Sequence, residues 1–126
     1  MGLLHENTTD QVIKAYYKVY NKLGYGFLEK VYENAMMIEL TKMGISCEKQ
    51  VPIDVYYEEE HIGKYFADIL VNNQIIIELK AASTLMEAHE AQLLNYLKAT
   101  EIEVGLLLNF GIKPQISRKL FENKFK

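Results

Sequence analysis

The sequence predicts a mixed α/β fold in which helices flank a central sheet. The first third of the chain has the apolar spacing of amphipathic helices, and the middle third alternates apolar and polar residues. The last third adds one more helical stretch and a short apolar segment. The predicted order is therefore helix, three strands, helix and strand. The three strands are joined by short turns and must form an antiparallel meander, whereas the fourth follows a helical crossover and should lie parallel to a neighbour.

Two helical stretches precede the first strand. Thr8 to Leu23 follows helical spacing, and Thr8 with Gln11 forms a capping-box pattern. A Gly-Tyr-Gly interruption follows, and a second helix is predicted from about Phe27 to Met43. Gly44 ends it, because glycine readily adopts the left-handed conformation that terminates helices.

The middle of the chain predicts three strands joined by tight turns. The first, from Val51 to Val55, places apolar residues at every second position and ends at an acidic turn, Glu58-Glu59-Glu60. The second runs from Ile62 to Val71, and Asn72-Asn73 marks the next turn. The third runs from Ile75 to Lys80.

The last third predicts a helix, a buried strand and a final helix. Leu85 to Thr100 has helical spacing, and Val104 to Leu108 is short and entirely apolar, which is typical of a strand in the interior of a sheet. A glycine and a proline then break the chain. Ile116, Leu120 and Phe121 have the spacing of a last helix.

Composition limits the classes of function. At 126 residues the chain is predicted to form one domain over residues 1–126, long enough to bury a core. The net charge of −3 gives no support for tight nonspecific binding of nucleic acid through a basic surface. The single cysteine, Cys47, excludes an intrachain disulfide and a zinc cluster. No signal peptide or membrane-spanning run is recognised, which predicts a cytoplasmic protein without a membrane partner.

A charged cluster interrupts the most apolar part of the sequence. Ile75-Ile76-Ile77 leads directly into Glu78-Leu79-Lys80, and Asp68 lies ten residues before Glu78. Residues two apart on a strand project to the same face, so Glu78 and Lys80 should lie together. A strand this apolar should be buried on both faces, where charges are costly unless they are paired or bind a metal. The cluster could therefore hold a divalent metal ion and act on a phosphodiester.

Asp68 and Glu78 can share a metal only if they face the same side of the sheet. Directly opposed residues of a hairpin share a face. A strict two-residue loop at Asn72-Asn73 would oppose Asp68 to Ile77, whereas a three-residue loop that includes Gln74 would oppose it to Glu78. The metal-site hypothesis therefore requires an odd loop or a bulge.

The preferences of hard cations suggest a role for each member of the cluster. Mg²⁺ or Mn²⁺ takes oxygen ligands, usually one or two carboxylates with water and phosphate oxygens. Asp68 and Glu78 would supply the carboxylates, and the Leu79 carbonyl a third oxygen. The metal would polarise the scissile phosphate and lower the pKa of a water. Lys80 would orient or deprotonate that water, or stabilise the developing charge.

These residues resemble the signature of the PD-(D/E)XK nucleases. Asp68 and Glu78-Leu79-Lys80 match the motif, with Ala67 at the position of the nominal proline. Gln92 to Tyr96 resembles the QxxxY motif of the RecB-like branch, and Gly26 to Tyr32 matches the GxxExxY signature of a family of small prokaryotic proteins. The resemblance covers nearly the whole chain. It implies a restriction-endonuclease-like fold with an αβββαβ core, in which helices flank a mixed sheet of four or five strands.

The resemblance also implies roles for residues on two helices. Glu29 would bind metal through water or hold a second ion. Gln92 and Tyr96, which are four apart and share a helix face, would line the cleft and contact the phosphate or the catalytic groups. His89 lies three residues before Gln92 on nearly the same face and is a further candidate for contact with the substrate.

Each assignment has a structural alternative. Glu78 and Lys80 could form a simple ion pair at a strand end, and Glu29 could be an ordinary exposed helix residue. The two residues of the QxxxY match could serve only to pack their helix against the core. His89 could be a surface or capping histidine.

The sequence therefore predicts a metal-dependent nuclease that cuts phosphodiester bonds of DNA, and secondarily of RNA. One alternative is a nuclease-like domain that no longer cuts and binds nucleic acid or a protein partner. Retention of Asp68, Glu78 and Lys80 argues against that alternative, and the small size and acidic charge of the chain argue for it. A third reading is a metal-dependent hydrolase of a small phosphate ester. A domain this small is expected to gain substrate surface as a homodimer or within a larger complex.

Overall fold

The computed structural model describes residues 2–126 as a five-stranded sheet with helices on both faces. The helices agree with the sequence prediction to within a few residues at each end. The elements, in chain order, are α1 (Glu6–Leu23), α2 (Glu29–Lys42), β1 (Cys47–Tyr57), β2 (Glu60–Val71), β3 (Ile75–Lys80), α3 (Glu87–Lys98), β4 (Val104–Phe110), β5 (Pro114–Leu120) and a short 3₁₀ turn (Asn123–Phe125).

The strands lie across the sheet in the order in which they occur in the chain. Every neighbouring pair is antiparallel except β3 and β4, which are parallel. α3 joins these two strands as the crossover that parallel strands require. The predicted αβββαβ core with a mixed sheet is confirmed. Within residues 2–126, no helix combines the length and the apolar character needed to cross a membrane.

Two apolar clusters, one on each face of the sheet, hold the helices in place. On one face, Tyr16 of α1 and Met36 of α2 pack against buried side chains of β3 and β4. On the other face, Leu93 and Leu97 of α3 pack against further side chains of the same strands. β3 and β4 are thus buried on both sides, which accounts for their apolar runs, residues 75–77 and 104–108.

The side chains of β2 reverse the face of the sheet toward which they point at Asp68. Ile69 packs into the cluster beneath α1 and α2, whereas Ala67 packs into the cluster beneath α3. Residues two apart on a regular strand point to the same side, so β2 is irregular at the residue between them. Gln50, opposite Asp68 in the register of β1 with β2, has a positive φ of 54°. The regular alternation of side chains is therefore interrupted at the same level in both strands.

The predicted last helix is wrong, because this segment forms the edge strand β5. It pairs antiparallel with β4 along its whole length, from Pro114 to Leu120. Without β5, the backbone N–H and C=O groups along one side of a fully buried strand would lack partners. Ile116 and Leu120 have helical spacing, but Ile116 packs into the cluster beneath α1 and α2 whereas Leu120 is 44% exposed. The need to pair β4 thus overrides the local pattern.

The predicted capping box at the first helix is also wrong. α1 begins at Glu6, with His5 as its N-cap residue, so Thr8 lies inside the first turn. Among residues 2–126, no side chain forms a capping hydrogen bond at this helix start.

Asn109 of β4 fixes the segment that leaves β3. Its side chain is fully buried, and its Oδ1 accepts a hydrogen bond from the Ala82 N–H at 3.0 Å. Its Nδ2 donates to the Ala82 carbonyl at 2.9 Å and to Gln115 Oε1 at 3.0 Å. A buried amide with these partners holds the chain firmly two residues beyond Lys80.

A methyl group at Gly111 is expected to destabilise this arrangement. The added Cβ would lie 2.3 Å from the Ala82 carbonyl oxygen and 2.9 Å from Asn109 Nδ2. These two groups are hydrogen-bonded to each other, so neither can move away from the added methyl group without breaking that bond. We expect Gly111→Ala to lower the free energy of unfolding by about 1–3 kcal/mol, measured by urea denaturation. Gly63→Ala is the control, since its Cβ would meet only Tyr65 Cε2 at 3.6 Å. Equal losses in both variants would contradict this account.

Candidate active site

Asp68 and Glu78 face each other where β2 and β3 separate. The connecting loop has three residues, Asn72-Asn73-Gln74, and pairs Ile69 with Ile77, which sets Asp68 opposite Glu78. Backbone pairing stops at Ile69, and side chains continue it. The Asp68 N–H donates to Glu78 Oε1 at 3.1 Å, and the Leu79 N–H donates to Asp68 Oδ2 at 2.8 Å. We call this arrangement of Asp68, Glu78 and Leu79 the fork.

The fork holds one buried and one half-buried carboxyl group. Glu78 is only 4% exposed. Burial, together with the negative charge of Asp68, raises the pKa of Glu78 to about 8. Burial also raises the pKa of Asp68, and the bond from the Leu79 N–H opposes that rise. Lys80 favours the ionised form of both groups, but its influence is smaller than that of burial.

Lys80 lies on the α3 side of the fork. Its Nζ donates to Gln92 Oε1 at 3.3 Å. Within residues 2–126 no ion pair joins Lys80 to Glu78, so the simple ion pair is not formed. Lys80 thus stands next to the carboxyl groups while bound to a neutral amide.

Tyr96 completes the α3 side. It is only 6% exposed, and burial followed by the negative charges of Glu78 and Asp68 raises its pKa to about 12. Gln92, one turn before Tyr96, accepts the Lys80 hydrogen bond, so this face of α3 borders the fork, and Tyr96 also packs in the core beneath α3.

His89 is held at the start of α3. Its Nδ1 accepts a hydrogen bond from the Met86 N–H at 3.1 Å. Within residues 2–126 no hydrogen bond joins it to Asp68, Glu78 or Lys80. The capping alternative therefore describes the geometry of His89, and its contact with a substrate stays a prediction.

A cavity of about 200 Å³ opens on the α2 side of the fork. Its lining residues are Glu29, Lys30, Glu33, Gln50, Asp68 and Leu79. Glu29 is an exposed residue in the first turn of α2. Glu33, one turn later, is only 4% exposed, and its charge contributes to the raised pKa of Asp68. Glu33 is therefore the more deeply placed of the two glutamates.

Gln50 bridges α2 and the fork. Its Nε2 donates to Glu33 Oε1 at 2.6 Å and to Asp68 Oδ1 at 3.4 Å. Its φ of 54° is unfavourable for a residue with a side chain, and such strain is often found at functional sites. The sequence analysis missed both Gln50 and Glu33. The spacing of four between Glu29 and Glu33, which puts them on one helix face, was the signal for Glu33.

The fork can contribute to a metal site but does not enclose one. Within residues 2–126 no three side chains of His, Cys, Asp or Glu are grouped closely enough to hold a metal ion. Mg²⁺ commonly binds through one or two carboxylates and completes its shell with water and phosphate oxygens. Asp68 and Glu78 fit that donor set, because two adjacent carboxyl groups, one half-buried and one buried, favour a cation between them.

The raised pKa of Glu78 predicts that stability without divalent metal falls as the pH rises. The folded chain keeps a proton on Glu78 up to about pH 8, whereas the unfolded chain loses it near the ordinary value of 4.5. The unfolded state binds fewer protons in this window, so the free energy of unfolding decreases as pH increases. We expect the melting temperature in EDTA to fall by several degrees across the window.

Two variants isolate the contribution of Glu78. Glu78→Gln is neutral at every pH and should lose most of the slope. Glu87→Gln, at an exposed position in the first turn of α3, should keep it. A wild-type melting temperature that rises with pH relative to Glu78→Gln would contradict the prediction.

Comparisons with known proteins agree with this architecture. The family described as the PD-(D/E)XK nuclease superfamily matches residues 6–119. The crystal structure of SSO0001 is similar with a TM-score of 0.62 and 18% sequence identity, over 75% of this chain and 50% of that one. This likeness concerns the fold alone, and the chain spans about half the length of SSO0001. No curated protein matches the chain. Because the family match covers nearly all of the chain, this protein belongs to the PD-(D/E)XK nuclease superfamily.

Proposed function

We propose that this protein hydrolyses phosphodiester bonds with Mg²⁺ or Mn²⁺, and that DNA rather than RNA is its main substrate. The observation that supports the proposal is the fork, where the buried carboxyl group of Glu78 faces the half-buried one of Asp68 beside Lys80. Membership of the superfamily supports a nuclease. A single domain over residues 1–126, a cytoplasmic location and membership of the GxxExxY family belong to the same proposal.

Asp68 and Glu78 would hold the cation, and the Leu79 carbonyl would add a third oxygen. Each carboxylate already has one oxygen fixed by a backbone N–H across the fork. The second oxygen of each group can therefore approach the cation without rearrangement of the strands, and at Asp68 this oxygen would exchange its long 3.4 Å bond from Gln50 for the cation. A divalent ion held by these residues would polarise the scissile phosphate and would lower the pKa of a water.

Lys80 would act on the attacking water or on the charge that develops at phosphorus. Gln92 accepts its hydrogen bond and limits where the ammonium group can lie. An ammonium group beside a phosphate stabilises the additional negative charge of the transition state. Tyr96 would donate a hydrogen bond to a phosphate oxygen, and His89 would contact the substrate farther from the fork.

We assign the outer acidic role to two residues of α2. The resemblance gave this role to Glu29, which lies at the exposed end of the α2-side cavity. Glu33 is buried next to Asp68, and Gln50 holds it in place. Glu33 would bind waters around the cation, and Glu29 would do so at the mouth of the cavity.

A domain that binds nucleic acid or a protein without cutting is the second candidate. The net charge of −3 favours it, because few cations are present to neutralise a duplex. The fork argues against it. A buried carboxyl group beside a half-buried one destabilises the fold when both ionise, and a domain that binds no cation gains nothing in return. A homodimer or a larger complex would add contact surface to either function.

Cleavage assays on three substrates test the proposal. Labelled single-stranded DNA, duplex DNA and RNA are incubated with Mg²⁺, Mn²⁺ or EDTA. We expect metal-dependent cutting by the wild type and a loss of at least about 100-fold in Asp68→Asn and in Lys80→Ala, since each removes a group that acts on the reacting atoms.

Asp54→Asn is the matched control. Asp54 is exposed on β1, and its Oδ1 lies 3.0 Å from His61 Nε2. Its replacement should leave the rate unchanged. Calorimetric titration with Mn²⁺ is the second readout. An absence of cutting, with no heat of Mn²⁺ binding in a folded wild-type protein, would favour the binding module.

A further inference from the structure

A second cavity adjoins the fork on the α3 side. It has a volume of about 450 Å³ and lies between the β1–β2 hairpin and α3. This size is within the range of small-molecule sites. Gln92 and Tyr96 line both this cavity and the approach to the fork. A group bound there would therefore lie next to any phosphate held at the fork.

The walls of the cavity combine aromatic faces with amide groups. Tyr65 of β2 is 49% exposed, and its ring lies 5.7 Å from that of Tyr96, tilted by 46°. Gln92 and Asn95 of α3 carry amides, each able to donate and accept hydrogen bonds. Within residues 2–126 the side chain of Asn95 forms no hydrogen bond. The cavity thus offers a free ring face and an unused amide.

These features match the chemistry of a nucleobase. A base presents a flat π face that stacks on tyrosine, and an edge of donors and acceptors that amides recognise. We propose that the cavity binds one unpaired base of a single-stranded nucleic acid, stacked on Tyr65 and hydrogen-bonded to Asn95 and Gln92. This proposal rests on the proposed function. The phosphate of the same strand then lies at the fork.

The charge of the protein favours a single strand over a duplex. Binding to duplex depends on neutralising many phosphates, and this chain has a net charge of −3. Glu58 and Glu59 form the exposed turn between β1 and β2 and would repel a second strand. In a duplex, a base has both faces stacked and its edge paired, so it could not enter the cavity without being extruded.

Binding in EDTA tests the cavity separately from catalysis. Fluorescence anisotropy is measured with a labelled oligothymidylate, a duplex of equal length and an abasic strand of equal length. We expect the wild type to bind the oligothymidylate at least about 10-fold more tightly than the duplex or the abasic strand, since one stacked base contributes about 5- to 100-fold in affinity.

Substitutions at Tyr65 identify the contact. Tyr65→Ala should lose that preference, whereas Tyr65→Phe keeps the ring and should retain it. Tyr17→Ala is the control, because Tyr17 is 41% exposed on α1, beyond the opposite face of the sheet. Equal binding of duplex and single strand, or no effect of Tyr65→Ala, would overturn the proposal. Thymidine monophosphate that bound as tightly as the oligonucleotide would also overturn it, and would assign the cavity to free nucleotides.

Cleavage assays on the same variants separate this proposal from the nuclease itself. Base-dependent binding without cleavage in the presence of either metal would support the base-binding cavity and contradict the proposed nuclease activity. Metal-dependent cutting that Tyr65→Ala does not affect, with equal rates on duplex and single strand, would leave the nuclease standing and remove the cavity assignment.

Discussion

The architecture of this protein depends on how two strands separate without leaving backbone groups unpaired. At the fork, the Asp68 N–H bonds to the Glu78 side chain and the Leu79 N–H bonds to the Asp68 side chain. The carboxyl groups thus replace the backbone acceptors that the adjacent strand no longer provides. A three-residue loop makes this possible, because it sets the register that opposes the two residues. The same bonds that end the pairing of β2 with β3 therefore fix the geometry of the candidate metal ligands.

The break in side-chain alternation at Asp68 in the β1–β2 hairpin makes the fork accessible from both sides of the sheet. In a regular sheet, residues of α2 and α3 would be separated by the full thickness of the backbone layer. Here β2 leaves β3 at Asp68, and Gln50 adopts a left-handed conformation opposite it. Gln50 and Glu33 can then reach Asp68 from the α2 side, while Lys80 and Tyr96 approach Glu78 from the α3 side. The strain at Gln50 is the local cost of that arrangement.

The sequence predicted the features that depend on local pattern and failed where distant contacts decide. Periodicity located three helices and four strands, and simple counting across the turn showed that a three-residue loop would oppose Asp68 to Glu78. The last helix failed because pairing with β4 outweighed the spacing of Ile116 and Leu120. Gln50 could not be found, since its importance follows from the register of β1 with β2 and from its φ value. Glu29 could be predicted because it belongs to the GxxExxY motif. The burial of Glu33 could not, because it depends on the packing of α2 against the sheet.

The two sides of the fork differ in chemistry, and this difference suggests how a substrate would be oriented. The α2 side carries three carboxyl groups, one amide and the ammonium group of Lys30, which pairs with Glu33 at 3.7 Å, and the carboxyl groups are suited to a hydrated cation. The α3 side carries a lysine, amides and two tyrosine rings, a set suited to phosphate oxygen and to a base. On the proposed function, a strand would therefore place its phosphate between the two sides and its base toward α3. An acidic protein can bind a polyanion in this way because the cation neutralises the scissile phosphate and stacking supplies affinity that does not depend on protein charge.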